Sequence, residues 1–162
     1  MRIKDIFATD TSAGRLSAGL FILRVLTCLS LFLNHGVEKL AGYSTMVQHF
    51  PDPIHIGAHA SLAYALITDG ICSILVIFGL ATRPAAVLML INLLTAFFFV
   101  HHAAFFVKNS GTELIAVYFV VLTSLIFTGP GRFSIDARIG RSDRHPNGAE
   151  AVKSDISRAV SV

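Results

Sequence analysis

Long apolar runs separated by short polar segments are the dominant pattern of the chain. In the most regular stretch, Ala58–Val107, two apolar arms flank the four-residue break Ala81–Pro84. A helix needs about 20 residues, at roughly 1.5 Å each, to cross a hydrocarbon core about 30 Å thick. Each arm is long enough, so the pattern predicts a helical membrane hairpin. Two further apolar runs, 16–33 and 114–127, predict one more span on either side of it.

These runs predict an all-α fold, a polytopic membrane protein built as a bundle of four transmembrane helices. The predicted spans lie near residues 16–35, 58–80, 84–107 and 111–128. The fourth apolar run is the shortest, so its helix must include neighbouring residues to complete a crossing.

The segments outside the spans are polar. Residues 1–15 form an N-terminal segment, and residues 16–139 form the membrane domain. Between the first two spans, apolar residues spaced by three and four within 43–50 predict a short helix in the headgroup layer. Residues 140–162 form a polar, basic tail that we expect to be disordered.

The composition excludes most classes of soluble protein. Hydrophobic residues make up 54% of the chain and charged residues only 14%, with a mean hydropathy of +0.68. The net charge is +3, but the basic residues do not form the aromatic-studded patch of a nucleic-acid-binding protein. Cys28 and Cys72 lie alone in apolar runs, which excludes a CxxC redox or zinc motif and favours small buried side chains. A disulfide between their two helices stays open.

The basic residues also predict the orientation of the bundle. Of thirteen Lys and Arg residues, ten lie in the N-terminal segment, the turn at Arg83 and the C-terminal segment. Only Lys39 and Lys108 fall on the opposite side, and Arg24 lies within a span. Because positive charge is retained on the cytoplasmic side, both termini are predicted to be cytoplasmic.

Polar side chains inside the spans are the candidate functional residues. Arg24, Asp69 and Asn92 fall at similar predicted depths, some 12–17 Å from the cytoplasmic end at about 1.5 Å per residue. An isolated charge at this depth is costly, so we predict that Arg24 and Asp69 pair, with Asn92 as a further partner. Such a pair could serve only to hold the bundle together, or it could bind a headgroup or relay protons.

A second polar layer is predicted near the opposite end of the bundle. On the third span, His102 and Thr95 share a face, so His102 rather than His101 is expected to point inward. The candidates for ligand binding or proton relay at this level are His35, Thr95, His102 and Glu113. Lys39 belongs to the same layer.

Several ordered motifs resemble the DoxX family, small four-helix membrane proteins of bacteria. The resemblance covers about 20–139 and includes an acidic residue followed by glycine in the second span and Glu113 at the start of the fourth. The matching stretches are Leu23-Arg24-Val25, His35-Gly-Val-Glu-Lys-Leu40, Gly79-Leu-Ala-Thr-Arg83, Leu94-Thr-Ala-Phe97 and Gly129-Pro-Gly-Arg-Phe-Ser-Ile-Asp136. The chain departs from the family at Asp69, where members usually carry Glu.

The resemblance implies a redox role. Relatives have been linked to quinone-coupled sulfur oxidation, as a small subunit of a thiosulfate:quinone oxidoreductase, and to membrane redox or thiol-stress complexes. The chain has no dinucleotide-binding glycine pattern and no CxxC, so a redox role implies a quinone ligand and a partner protein that supplies electrons. The alternatives are a non-enzymatic scaffold or small transporter and a haem protein ligated by His35 and His102. No other metal site is expected, and the oligomeric state stays open.

Overall fold

The computed structural model describes residues 13–100 and 112–142, and the regular elements of this part of the chain are all helices. In chain order the helices are α1 (Ala13–Ala41), α2 (Tyr43–Met46), α3 (Ala58–Phe78), α4 (Thr82–Val100), α5 (Thr112–Thr128) and α6 (Ile135–Ser142). Three of them, α1, α3 and α4, are long and apolar enough to cross a membrane, and α5 is apolar but shorter. The chain is therefore a helical, multi-pass membrane protein.

Three of these helices contain a wider π-helical turn. The π-helical segments are Phe32–Gly36 in α1, Ile67–Cys72 in α3 and Ala96–Val100 at the end of α4. The residues on either side in α1 and α3 are α-helical, so each of these helices continues through the segment. Helix α1 ends at Ala41, beyond the predicted end of the first span at residue 35.

The turn between α3 and α4 has the geometry that its sequence predicts. Gly79 adopts a left-handed conformation (φ 70°), which glycine accepts without steric cost. Its N–H donates to the carbonyl of Val76 (3.0 Å), and the N–H of Leu80 donates to the carbonyl of Leu75 (2.9 Å), so the exposed carbonyls at the end of α3 are satisfied. Pro84 lies in the first turn of α4, where the missing N–H costs nothing.

The core lies between the helices, and lipid-facing surfaces surround it. Helix α3 is the central helix. Half of its most apolar 18-residue stretch is buried, compared with 22% of the corresponding stretch in α1 and in α4. Most large apolar side chains elsewhere are exposed, as expected for a protein whose solvent is lipid. The apolar side chains with at most 1% exposure are those of Cys28, Leu62, Val76, Ala86, Leu122 and Leu125. Cys28 and Cys72 are both free thiols buried in this core, as the sequence favoured.

The segment after α5 folds back against the bundle. Ser134 begins α6 as its N-cap, because its hydroxyl accepts the N–H of Ala137 (3.1 Å). The carboxylate of Asp136 accepts the N–H groups of Ala81 (2.8 Å) and Thr82 (3.1 Å) at the start of α4. Helix α6 thus extends into the first residues of the segment assigned to the polar tail, and residues 143–162 lie outside the described part of the chain.

Candidate functional site

Asp69 is the centre of a polar cluster inside the helix bundle. Its Oδ2 lies 2.8 Å from the Nζ of Lys39 on α1, and its Oδ1 accepts a hydrogen bond from Asn92 Nδ2 on α4 (3.1 Å). The Lys39 and Asp69 side chains are only 15% and 11% exposed. We call these three residues the Asp69 cluster. Both carboxylate oxygens have a donor, which is what a buried charge requires.

The π-helical segments of α1 and α3 meet at this cluster. Asp69 lies within the segment in α3, and Gly36, in the segment of α1, packs directly against its backbone. A Cβ added at Gly36 would come within 2.9 Å of the Asp69 carbonyl oxygen and 3.2 Å of Gly70 Cα. Only glycine allows the two helices to approach this closely.

A polar side chain accompanies each π-helical segment. Thr68 Oγ1 donates to the carbonyls of Tyr64 and Ala65, at 3.1 and 3.0 Å. Thr95 Oγ1 donates to the Ile91 carbonyl (2.9 Å), and Asn34 Nδ2 donates to the Ser30 carbonyl (2.9 Å). These polar side chains thus donate to backbone carbonyls of their own helices, which satisfies their hydrogen-bond donors inside the membrane domain. Single π-helical turns of this kind are frequent at functional sites.

Two adjoining cavities flank the Asp69 cluster. The first, which we call the Tyr118 cavity, has a volume of about 270 Å³ and is lined by His35, Asp69 and Tyr118 among apolar side chains. The second, the Tyr64 cavity, has a volume of about 430 Å³, and its walls are mainly apolar. Both cavities are lined by Lys39, Phe50, Ala65, Asn92 and Ala96. Together they form an apolar slot with a few convergent polar groups, the usual character of a small-molecule site.

His35 and Tyr118 form the far side of the Tyr118 cavity. Their rings pack edge to face with centroids 6.4 Å apart. The Tyr118 hydroxyl lies 3.0 Å from Ser30 Oγ, which connects α5 to α1. The buried hydroxyl thus has a partner, and the imidazole of His35 lies half-buried beside a cavity that also contains a carboxylate and an ammonium group.

The loop between α2 and α3 covers one side of the Tyr64 cavity. Pro51, Pro53 and Ile54 line the cavity from this loop, and Asp52 holds the loop to the start of α3. The Asp52 carboxylate accepts hydrogen bonds from Ser61 Oγ (2.8 Å) and from the N–H groups of Gly57 (2.8 Å) and Ile56 (3.0 Å).

The environment of Asp52 shifts its acidity. Desolvation alone would raise the pKa of Asp52, but these three hydrogen bonds and the charge of His55 outweigh it and lower the pKa below its ordinary value. The ionised carboxylate is therefore the form that holds the loop.

The predicted pair between Arg24 and Asp69 is wrong. Arg24 is 1% exposed, and its guanidinium donates to the carbonyls of Pro130 (2.6 Å) and Phe133 in the segment that precedes α6. Gly79 packs against this guanidinium, whereas Asp69 lies about ten residues earlier in the same helix, roughly 15 Å along its axis. The two terminal guanidinium nitrogens of Arg24 therefore find their acceptors in backbone carbonyls of the returning segment and not in Asp69, and its buried Nε has no partner among the described residues. The expected contact between Asp69 and Asn92 is present.

The other predicted site residues are only partly brought together. His35, Asp69 and Asn92 line the Tyr118 cavity, and Thr95 lines the Tyr64 cavity. Glu113 is exposed in the first turn of α5, next to Leu114, which lines the Tyr118 cavity. His102 lies outside the described residues, so its predicted inward direction stays a prediction, as does its pairing with His35 as haem ligands. Within residues 13–100 and 112–142, no three His, Cys, Asp or Glu side chains cluster as a metal site.

Two residues of the site, Lys39 and Tyr118, are not among the candidates predicted for it from the sequence. Lys39 belongs to the predicted outer polar layer, and it lies four residues after His35, therefore on the same helical face. Tyr118 lies inside an apolar span, where a tyrosine usually needs a hydrogen-bond partner and so points inward. Both signals were present in the sequence.

Relatives of known sequence agree with the family resemblance. The family model described as DoxX matches residues 19–102. A Bacillus subtilis protein named "Putative oxidoreductase CatD" is 32% identical over 132 residues, which cover 80% of this chain and 92% of the relative. An uncharacterised Haemophilus influenzae protein is 31% identical over 113 residues, 67% of this chain and 75% of the relative. No solved structure matches the chain. The chain belongs to the DoxX family.

Proposed function

We propose that this protein is the membrane subunit of a quinone-linked redox system in the bacterial inner membrane. The observation that carries the proposal is the Asp69 cluster, a charged and amide-bearing group that opens onto two apolar cavities within the membrane domain. A quinone needs an apolar slot for its ring and hydrogen-bond donors for its two carbonyl oxygens. The Bacillus relative, named as an oxidoreductase, supports a redox role.

The donors of the cluster suit a quinone carbonyl. Lys39 has three N–H donors and Asn92 has two, and Asp69 accepts one from each. The remaining donors can turn towards a ligand in the cavities while Asp69 holds both side chains in place. The Tyr118 cavity, with His35 and Tyr118, suits the quinone ring and its carbonyl oxygens. The larger Tyr64 cavity suits an isoprenoid tail.

The chemistry divides between this chain and a partner. Reduction of a bound quinone to the quinol needs two electrons and two protons. The sequence has no dinucleotide-binding glycine pattern and no CxxC, so the electrons come from a redox cofactor of a partner protein. Proton transfer is the part that the residues of this chain can perform, through His35 and the Asp69 cluster.

Quinone binding by the purified protein tests the proposal. We expect decylubiquinone to bind the wild type, and Lys39→Met or Asp69→Asn to weaken binding about tenfold or more, the usual effect of losing a hydrogen bond to a charged group. Ala96→Leu fills both cavities and should also reduce binding. Glu38→Gln is the matched control, because Glu38 is exposed one residue from Lys39 and lines neither cavity.

The outcomes distinguish whether the protein binds quinone from where on the protein the quinone binds. Equal binding by the wild type and all variants would place the quinone elsewhere on the protein. A wild type that binds no quinone at membrane-relevant concentrations would remove the redox proposal and leave a scaffold or small transporter, for which the Asp69 cluster only needs to hold the bundle together.

We further propose that α5 completes a fourth span and that both termini are cytoplasmic. The count of basic residues and the apolar character of α5 support this arrangement. A reporter that is active only in the cytoplasm should be active when fused to the C-terminus. Activity there of a reporter that works only in the periplasm would contradict the topology.

A further inference from the structure

A third cavity lies at the opposite end of the bundle, between α6 and the helices α1 and α3. It has a volume of about 650 Å³, and Ile22 on α1 and Phe78 on α3 form apolar walls that stay 56% and 60% exposed. Phe133 lines it from the returning segment, and Ile135 and Arg138 line it from α6. We call it the α6 cavity. It shares no lining residue with the Tyr64 and Tyr118 cavities.

The charge around the α6 cavity is strongly unbalanced. The described residues at this end of the bundle include one carboxylate, that of Asp136, which already accepts two backbone N–H groups of α4. The basic residues with described side chains at this end are Arg15, Arg24, Arg83, Arg132 and Arg138. An anion at this end therefore meets an excess of positive charge.

Two arginines line the cavity, and they have different roles. Arg24 is almost fully buried and donates to the carbonyls of Pro130 and Phe133, so it holds the returning segment in place. Arg138 is exposed and belongs to a helix that carries Ile135 and Ile139 as well as arginines. Such a short amphipathic helix is suited to the boundary between lipid headgroups and acyl chains.

We propose that the α6 cavity binds an anionic phospholipid, with its phosphate on Arg138 and an acyl chain along Phe21, Ile22 and Phe78. The apolar walls match an acyl chain, and the excess of arginine favours an anionic over a zwitterionic headgroup. This site is separate from the quinone proposal and does not depend on it.

Thermal unfolding of the detergent-purified protein with three soluble probes tests the site. The probes are dioctanoyl phosphatidylglycerol, dioctanoyl phosphatidylcholine and inorganic phosphate. We expect phosphatidylglycerol to raise the unfolding temperature in a saturable way, and the other two probes to have little effect. The apparent Kd for phosphatidylglycerol should rise about fivefold in Arg138→Gln, the effect of one basic residue near a lipid headgroup.

Matched variants separate a built site from a general attraction. Arg132→Gln removes an exposed arginine of the same segment that does not line the cavity, and it should bind phosphatidylglycerol nearly as the wild type does. Ala18→Leu narrows the cavity and should weaken binding without a change in charge. If Ala18→Leu does not fold, the comparison of Arg138→Gln with Arg132→Gln still distinguishes a specific site from a general attraction.

Three results would overturn the proposal. Equal losses in Arg132→Gln and Arg138→Gln would mean a diffuse basic surface. An equal shift with phosphatidylcholine would mean that the headgroup charge is not recognised. A full shift with inorganic phosphate at the same concentration would mean an anion site without a lipid.

Discussion

The pair between Lys39 and Asp69 gives the sharpest test of the site's architecture. Replacing Lys39 by Met leaves the Asp69 carboxylate buried with Asn92 as its remaining donor. Removing one partner of a buried ion pair costs about 3–5 kcal/mol. The two side chains keep 15% and 11% exposure, so we expect a cost at or just below the lower limit of this range, about 2–3 kcal/mol of unfolding free energy.

Replacing Asp69 instead of Lys39 should cost less unfolding free energy. In Asp69→Asn the Lys39 ammonium loses its carboxylate, but its flexible stem starts near the end of α1 and can carry the charge to the membrane surface. We expect about 1–2 kcal/mol for this variant. The loss in the double variant should be smaller than the sum of the two single losses by about 1–2 kcal/mol. The reason is that the second substitution removes a group that the first has already left without its partner.

Equilibrium unfolding of the reconstituted protein, with a double-mutant cycle over the two residues, measures this coupling. The control cycle combines Asp69→Asn with Arg24→Gln, whose effects should add within about 0.5 kcal/mol because the two residues share no partner. Additive losses for Lys39 and Asp69 would refute the pair. Strong coupling between Arg24 and Asp69 would refute the assignment of Arg24 to the returning segment.

Three further predictions concern the ends of the bundle. Gly79→Ala should destabilise the protein by about 1–3 kcal/mol, because it places a Cβ against Arg24 on a residue with left-handed backbone angles. Gly14→Ala is the control, since a Cβ added at Gly14 has no atom within 4 Å, and it should not destabilise. Equal effects of the two variants on thermal unfolding would contradict this prediction. Asp136→Ala should lower the unfolding free energy by about 1 kcal/mol, because α4 loses the carboxylate that caps its first N–H groups. Asp136→Asn should cost less, since the amide keeps an oxygen acceptor. Equal losses in the two variants would mean that the side-chain oxygen is not the cap. Because the pKa of Asp52 lies below its ordinary value of about 3.8, the stability that its carboxylate gives the loop is complete above that pH and is lost as the pH falls through the lowered pKa. Hydrogen exchange of the Gly57 amide should accelerate over that acidic range, relative to amides in α3, and a pH-independent difference would refute the link.

The sequence alone determined the membrane class, the helical fold and the family. Apolar runs of about 20 residues leave a chain no stable alternative to helices in lipid, because each backbone N–H and C=O must be satisfied within its own segment. The turn at Gly79 and Pro84 was readable for the same local reason, since both residues restrict the backbone wherever they occur. The contact between Asp69 and Asn92 followed from the cost of leaving a carboxylate alone in an apolar span.

Only the tertiary structure decided which charge meets which. Arg24 and Asp69 each needed a partner, but the sequence holds several candidates, and counting residues from the ends of spans does not fix depth to within one helical turn. The π-helical turns shift helical register, and Gly36 lets α1 approach α3 so closely that Lys39, beyond the predicted end of its span, reaches Asp69. The terminal guanidinium nitrogens of Arg24 donate to carbonyls of a returning segment more than 100 residues away in the chain. A local pattern can place a side chain on the inner face of its helix, as it does for Lys39, but the choice of partner depends on how the helices pack.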